Sequence, residues 1–422
     1  MVRKIVFSIY DTTTYRNLVP IAEELSEDYE VEYLLFDELL QSADPSKSSA
    51  LPADELKPHR FADEYIRSKV ATKFHETPRS KKKVAVQRII EDNISPQLIY
   101  DIHSYIKDTS MDVFVSGHDR LPFIKHVMKF SETADFKSIV IQHGINRPDL
   151  EFRNGQPVNR QGLFRPSIEP QSWAIEKFKR RFGFNYGAFL FCSPYADEVL
   201  TMGDFFTERI RKLREQYPCN GAGTVTTVGY SEFNPGSIKP VETNAESALF
   251  LSQWQYEAGS WTEQQQKQLA DILRTFQRKN NLNLRVRPHP KDSEEKISRF
   301  FNDFQLSRGA GLESDIENHD IVLTVDSTAL LRAVLRGKVP GVIDLPWEQN
   351  TFSPFTHDHV LSIDSDFVDL EQQASKLSET TQVDYLQRFC YVPSLDESSK
   401  FNTPREYLAA KITSDLNSIG PV

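Results

Sequence analysis

Residues 320–343 read DIVLTVDSTALLRAVLRGKVPGVI. The apolar run 320–325 predicts a strand that stops at Asp326-Ser327-Thr328. A helix is expected over 327–337, ended by Gly337, and a second strand over 339–343. Asp, Ser and Thr are the residue types that cap a helix start, and glycine is the type that ends one. Strand, helix and strand in that order build a parallel sheet with crossover helices, the α/β class.

The same rhythm runs through the chain. Residues 4–9 (KIVFSI) predict a first strand, followed by the polar loop 11–14. Leu18, Ile21 and Leu25 give a helix over 16–27, where Pro20 is tolerable only in the first turn. Val31, Tyr33, Leu35 and Phe36 give the next strand. Residues 40–60 read as an exposed loop. Residues 61–107 read as helical, broken near Pro78 by the basic run Arg79 to Lys83. Strands at 111–116 and 137–142 flank a helix at 121–131, and 146–185 reads as a long crossing segment with one helix near 171–181. The second half predicts further strands at 188–192, 224–228, 248–252 and 283–287. Helices are expected at 195–216, 262–279, 293–303 and 403–418. The expected architecture is α/β, with two Rossmann-like domains facing across a cleft. Their bounds are 1–185 and 186–395, with a final segment, 396–422, packing back across them.

Composition excludes several classes. The 422 residues carry a formal charge of −10, with 50 basic against 60 acidic side chains, which argues against a nucleic-acid partner. Cys192, Cys219 and Cys390 are far apart and form no CxxC pair, so neither a disulfide framework nor a cysteine zinc site is expected. No apolar run approaches the ~18–20 residues of a membrane span. The first apolar stretch breaks at Asp11, too soon for a signal sequence. A cytoplasmic protein is expected, with peripheral contact at the inner membrane face as the minority reading of the run at 79–83. No dinucleotide fingerprint, phosphate-loop motif or HExxH is present, so no cofactor and no metal are expected.

Three places can carry chemistry. The first is Arg285-Val-Arg287-Pro-His289-Pro-Lys291, which leaves a predicted strand and enters a loop. Two prolines stiffen that loop around His289, and Arg285, Arg287, His289 and Lys291 suit an anion. The alternative is a solvated basic turn, for which Pro-His-Pro is unusual decoration. The second is the turn Asp326-Ser327-Thr328, where hydroxyls and free N–H groups can cradle a phosphate or simply cap the helix. The third is a pair of strand ends, Ser116-Gly-His118-Asp119-Arg120 and Gln142-His143-Gly-Ile-Asn-Arg147. Asp119 or His143 can accept a proton from a hydroxyl, and Arg147 or Arg120 can hold an acid. Trp254 can stack on a base, although buried packing is the commoner fate of such a ring. Ser193 and Tyr230 also follow predicted strands, and Glu348 sits in a loop that could touch a sugar.

The order of these pieces resembles the GT-B glycosyltransferases. Within them it is most similar to enzymes of surface-polymer synthesis: CDP-glycerol glycerophosphotransferases, bacterial polysialyltransferases and capsule Kdo transferases. His289-Pro290 matches their histidine-proline motif, Ser327-Thr328 their serine/threonine motif, and His143-Gly144 their strand-end His-Gly. The resemblance implies that the first two bind the donor phosphates and the third faces the acceptor. It implies metal-independent transfer of a sugar or polyol phosphate from a nucleotide-activated donor. The acceptor would be a saccharide or lipid-linked molecule of a capsule or other cell-surface polymer. The acidic pair that supplies the base in polysialyltransferases has no match, and Asp119 and His143 stand in its place. Gly117-His118-Asp119 is also loosely similar to a loop of non-hydrolysing UDP-GlcNAc 2-epimerases. A non-catalytic nucleotide-sugar-binding scaffold is the third alternative.

Overall fold

The first sheet has seven parallel strands. In chain order they begin with β1 (Lys4–Ile9), β2 (Glu30–Leu35), β3 (His59–Phe61), β4 (Val113–Ser116) and β5 (Lys137–Ile141). A separate antiparallel hairpin follows, β6 (Glu151–Arg153) with β7 (Gln156–Val158). Then β8 (Glu198–Thr201) and β9 (Thr224–Thr227) complete the sheet, whose spatial order is β3-β2-β1-β4-β5-β8-β9. The computed structural model describes residues 2–9, 12–35, 56–61, 96–117, 122–131, 133–142, 151–153, 156–158, 196–216, 223–231, 245–253, 255–257, 261–290, 292–307, 311–347, 360–364, 370, 377, 401 and 403–418.

Both faces of this sheet are covered, so its strands are apolar on both sides. Ile5, Phe7 and Ile9 point into one core with α1 (Thr12–Leu25), while Val6 points into the other. That second core is closed by α2 (Pro96–Thr109), α3 (Pro122–Ser131) and Ile210 of α4 (Asp204–Gln216).

The second sheet is also parallel throughout. Its strands are β10 (Ser247–Leu251), β11 (Asn283–Arg287), β12 (Gln305–Leu306), β13 (Ile321–Thr324), β14 (Val339–Ile343) and β15 (Leu361–Ile363), in the order β12-β11-β10-β13-β14-β15. On one face lies α5 (Glu263–Lys279), started by a Thr262–Gln265 capping box, together with α6 (Glu294–Phe300). On the other lie α7 (Leu312–Glu317) and α8 (Ala329–Leu335). A Cβ at Gly341 of β14 would stand 2.4 Å from Leu323 Cδ2 of β13, so any larger residue would have to displace that side chain.

The stretch 320–343 folds as its residues predict. Gly337 has φ 68°, its N–H donates to the Val334 carbonyl (3.0 Å), and Lys338 N–H donates to Ala333 (3.0 Å). That is the two-bond glycine ending of a helix. Other expectations need correction. Residues 195–216 are not one helix: 198–201 are β8, with Val199 and Leu200 buried, and the helix starts only at Asp204. Helix α1 begins at Thr12, so Pro20 lies in its interior rather than its first turn; the bond it withholds belongs to the carbonyl of Arg16, an exposed residue. The expected strand at 188–192, helix at 171–181 and basic run at 79–83 lie outside the described residues.

The chain divides into two compact units, residues 1–159, 163–233 and 389–422 in one, 160–162 and 234–388 in the other. The first unit thus extends beyond the expected boundary at 185, because β8 hydrogen-bonds to β5 and β9 to β8. The last helix, α9 (Pro404–Ser418), belongs to it too. Leu408, Ala409, Ile412 and Leu416 enter the core shared with Leu18, Ile21 and Leu25 of α1.

Aspartates stitch the amino edges of both sheets. Asp112 accepts from Lys4 N–H (2.6 Å), Asp197 from Ser138 N–H (2.7 Å), and Asp320 from Glu246 and Ser247 N–H (2.9 Å each). Burial opposes the charge of Asp320, but the Ser247 hydroxyl and these N–H groups outweigh it and hold the carboxyl below its ordinary value. At the same edge of the first sheet, Lys411 of α9 reaches Glu198 Oε1 (3.0 Å) and Asp415 Oδ1 (3.1 Å), and Lys137 reaches Asp415 Oδ1 (2.8 Å). Burial and the hydrogen bond to Asp415 push Glu198 up. Asp415 is held down: burial opposes this, but its bonds to Glu198, Lys137 and Lys411 prevail. Among the described residues, no helix is long and apolar enough to cross a membrane.

Candidate functional site

Chain order and spatial order disagree at one place in the second sheet. From β10 the chain steps to β11 and β12 on one side, then returns to β13 on the other. Such a reversal parts the loops at the carboxyl ends of the strands, and open parallel sheets bind ligands there. The loops concerned are 252–257 after β10, 325–328 after β13 and, beside them, 288–293 after β11.

Hydrogen bonds hold these three loops together. Gln253 spans the reversal: its Nε2 donates to the Asp326 carbonyl (2.5 Å) and to Thr324 Oγ1 (3.3 Å). Its Oε1 is buried and has no hydrogen-bond partner among the described residues. Lys296, on α6, is fully buried. Its Nζ donates to the Gln253 carbonyl (2.6 Å), Asp292 Oδ1 (2.8 Å) and Glu257 Oε2 (3.2 Å). Asp292 Oδ2 accepts the N–H of His289 (2.9 Å), and the His289 carbonyl accepts the N–H of Asp292 (2.8 Å). Ser293 caps α6 and also donates its N–H to Glu257 Oε1 (3.1 Å).

Among the sequence-predicted donor residues, His289, Asp326, Ser327 and Thr328 follow adjacent or next-adjacent strands at this edge. His289, Ser327 and Thr328 are half-buried and Asp326 is buried. Ser327 starts the helix: its carbonyl accepts from Leu330 N–H (3.1 Å) and its hydroxyl from Ala329 N–H (3.3 Å). Thr328 makes no side-chain capping bond. Arg287 pairs with Asp315 of α7, whose other oxygen takes the hydroxyl of Ser307 (2.5 Å). Arg285 is exposed and lies two residues back along β11, so it stands away from the strand end. Arg287 and Lys296 therefore carry their own acids. Besides these, the edge carries the imidazole of His289 and the hydroxyls of Ser327 and Thr328, all half-buried.

Tyr256 packs edge-on against Phe300, with ring centroids 5.2 Å apart, and Trp347 packs against Trp261 at 6.5 Å. Tyr230 is buried in the first unit, following β9. The first sheet reverses between β1 and β4, and β4 and β5 are parallel neighbours. The loops carrying Asp119 and His143 therefore leave one common edge, at Gly117 and Gln142. Asp119, His143, Arg147, Ser193, Trp254, Lys291 and Glu348 themselves lie outside the described residues.

Sequence reading gave no role to Gln253, Lys296, Asp292 or Glu257. The local signal was the four-residue spacing of Asp292 and Lys296 across a helix start.

No protein-family model matches the chain, and no curated protein matches it. Solved structures do resemble it. The calicheamicin glycosyltransferase CalG4 superposes with TM-score 0.50 at 11% identity, covering 100% of both chains. A putative UDP-N-acetylglucosamine 2-epimerase from Listeria monocytogenes gives 0.51 at 10%, covering 99% of this chain and 97% of that one. Phytolacca americana UGT2, complexed with UDP-2fluoro-glucose and pterostilbene, gives 0.51 at 12%, covering 98% and 99%. Identities this low speak to fold, and with two parallel-sheet units carrying helices on both faces, the fold of this chain is GT-B.

Proposed function

We propose that the protein is a glycosyltransferase or glycerophosphotransferase. It would move a sugar or polyol phosphate from a nucleotide-activated donor to a saccharide or glycolipid of a surface polymer. The observation that carries the reading is the reversal of the second sheet. There the His289 loop and the Ser327-Thr328 turn stand on either side of the Gln253 loop, on a GT-B fold. In this reading His289 donates to a phosphate oxygen of the leaving nucleotide. Ser327, Thr328 and Lys291 add donors, and Arg287, engaged by Asp315, backs the loop rather than gripping the ligand. Preorganised donors of this kind stabilise a departing phosphate without reorganising. His143 or Asp119 would take the proton of the acceptor hydroxyl. A lipid-linked acceptor would bring the protein to the inner membrane face.

The experiment is calorimetric titration with CMP, CDP, UDP and GDP, with and without EDTA, on the wild type and on His289→Ala. One nucleotide is expected to bind with or without EDTA and to lose at least about a hundredfold in affinity or turnover in the variant. Full activity in His289→Ala would remove the phosphate role. Binding of UDP alone would keep the epimerase reading open beside the transferase. It would be checked by incubating the protein with UDP-GlcNAc and following the sugar by NMR.

A further inference from the structure

Lys296 is a fully buried cation on the short helix α6, EEKISRF. An ammonium has three protons to give. All three are matched, to Gln253 O, Asp292 Oδ1 and Glu257 Oε2, and these acceptors come from two different loops. Each carboxylate then acts a second time. Asp292 holds the backbone of His289, and Glu257 holds that of Ser293. An apolar residue of similar volume would anchor α6 without the desolvation that a buried charge suffers. What the lysine adds is direction, because each of its bonds fixes where a loop at the sheet reversal must lie.

We propose that Lys296 is a positioning residue: acting through Asp292, it fixes the His289 loop against the Gln253 loop and so sets how His289 meets a donor phosphate. The inference rests on the nucleotide-donor reading above, and the test separates the two. Lys296→Met alone leaves the buried Asp292 and the half-buried Glu257 carboxylates without their cation and is expected to lower the melting temperature. The triple variant Lys296→Met/Asp292→Asn/Glu257→Gln removes the stranded charges, so its melting temperature should recover. Two readouts then decide. The backbone amide and ring resonances of His289, assigned by their loss in His289→Ala, should remain displaced from the wild type. The affinity for UDP or CMP, whichever the wild type binds, should remain about tenfold weaker. A recovered triple variant with wild-type His289 resonances and wild-type affinity would make Lys296 a purely structural residue and overturn the proposal. Should the triple variant not fold, Asp292→Asn decides, since it keeps an acceptor for the His289 N–H. Displaced His289 resonances support the proposal, and unchanged ones overturn it. If the wild type binds neither nucleotide while the resonances still move, the positioning stands and the donor reading falls.

Discussion

Each unit sets a lysine among carboxylates, at opposite ends of their sheets. Lys411 sits at the amino edge of the first sheet with Glu198 and Asp415, a quarter exposed, and Lys137 shares the load on Asp415. Lys296 sits at the carboxyl edge of the second, fully enclosed, with no second cation on Asp292 or Glu257 among the described residues. The first cluster fastens a helix to strand starts. The second fastens loops to one another. In a parallel sheet the amino edge is where a fold is closed, and the carboxyl edge is where side chains are offered to a ligand. The same chemistry therefore serves different ends.

The sharpest way to break this contrast is to remove each lysine. Lys296→Met should cost about 3–5 kcal/mol in urea unfolding, the usual penalty for stranding a buried charge. An equal cost at Lys411 would erase the difference in enclosure. Lys411→Met should instead cost about 1 kcal/mol, since Lys137 remains and water screens the site. It should also leave nucleotide binding untouched, which calorimetry would show. Gly337→Ala, remote from both clusters, should cost about 1–2 kcal/mol because an L residue must take its left-handed backbone. It calibrates a purely local effect by the same urea measurement.

The smallest effect is a change in the shape of stability against pH. Glu198 is held above its ordinary 4.5, so its contribution is complete below that value and is lost as pH rises through the raised one. Asp415 and Asp320 are held below 3.8. Their contributions are complete above that value and are lost as pH falls through the lowered ones. Melting temperature should therefore fall on strong acidification in every variant. Glu198→Gln, which mimics the neutral form, should remove the part of the fall that accompanies rising pH. A Glu198→Gln curve parallel to the wild type would deny the carboxyl pair its role.

What the sequence revealed was what neighbours along the chain decide. The helix of 329–335 is capped by its own Ser327 and ended by its own Gly337, so its residues suffice to read it. Strand β8 was read as helix because four residues, Glu198 to Thr201, are too few to show a period, and its pairing with β5 is distant. The site divides in the same way. Pro-His-Pro announced a rigid loop, but the partners that neutralise its surroundings lie far along the chain. Asp315 is 28 residues from Arg287, and Gln253 is 43 residues from Lys296. Only the four-residue spacing of Asp292 and Lys296 is local, and no local pattern could show that Arg287, near the proposed phosphate site, was already engaged.

The packing of α9 against α1 bears on how the protein is made. Unit two is essentially one continuous stretch, 234–388, inserted into a unit whose core needs residues from both before and after it. During synthesis the inserted unit leaves the ribosome whole and can close on itself. The first sheet meanwhile waits with the apolar face of α1 uncovered until Leu408, Ile412 and Leu416 arrive. Vectorial folding thus finishes the later unit first, and a chaperone would have the open face of α1 to protect until α9 emerges.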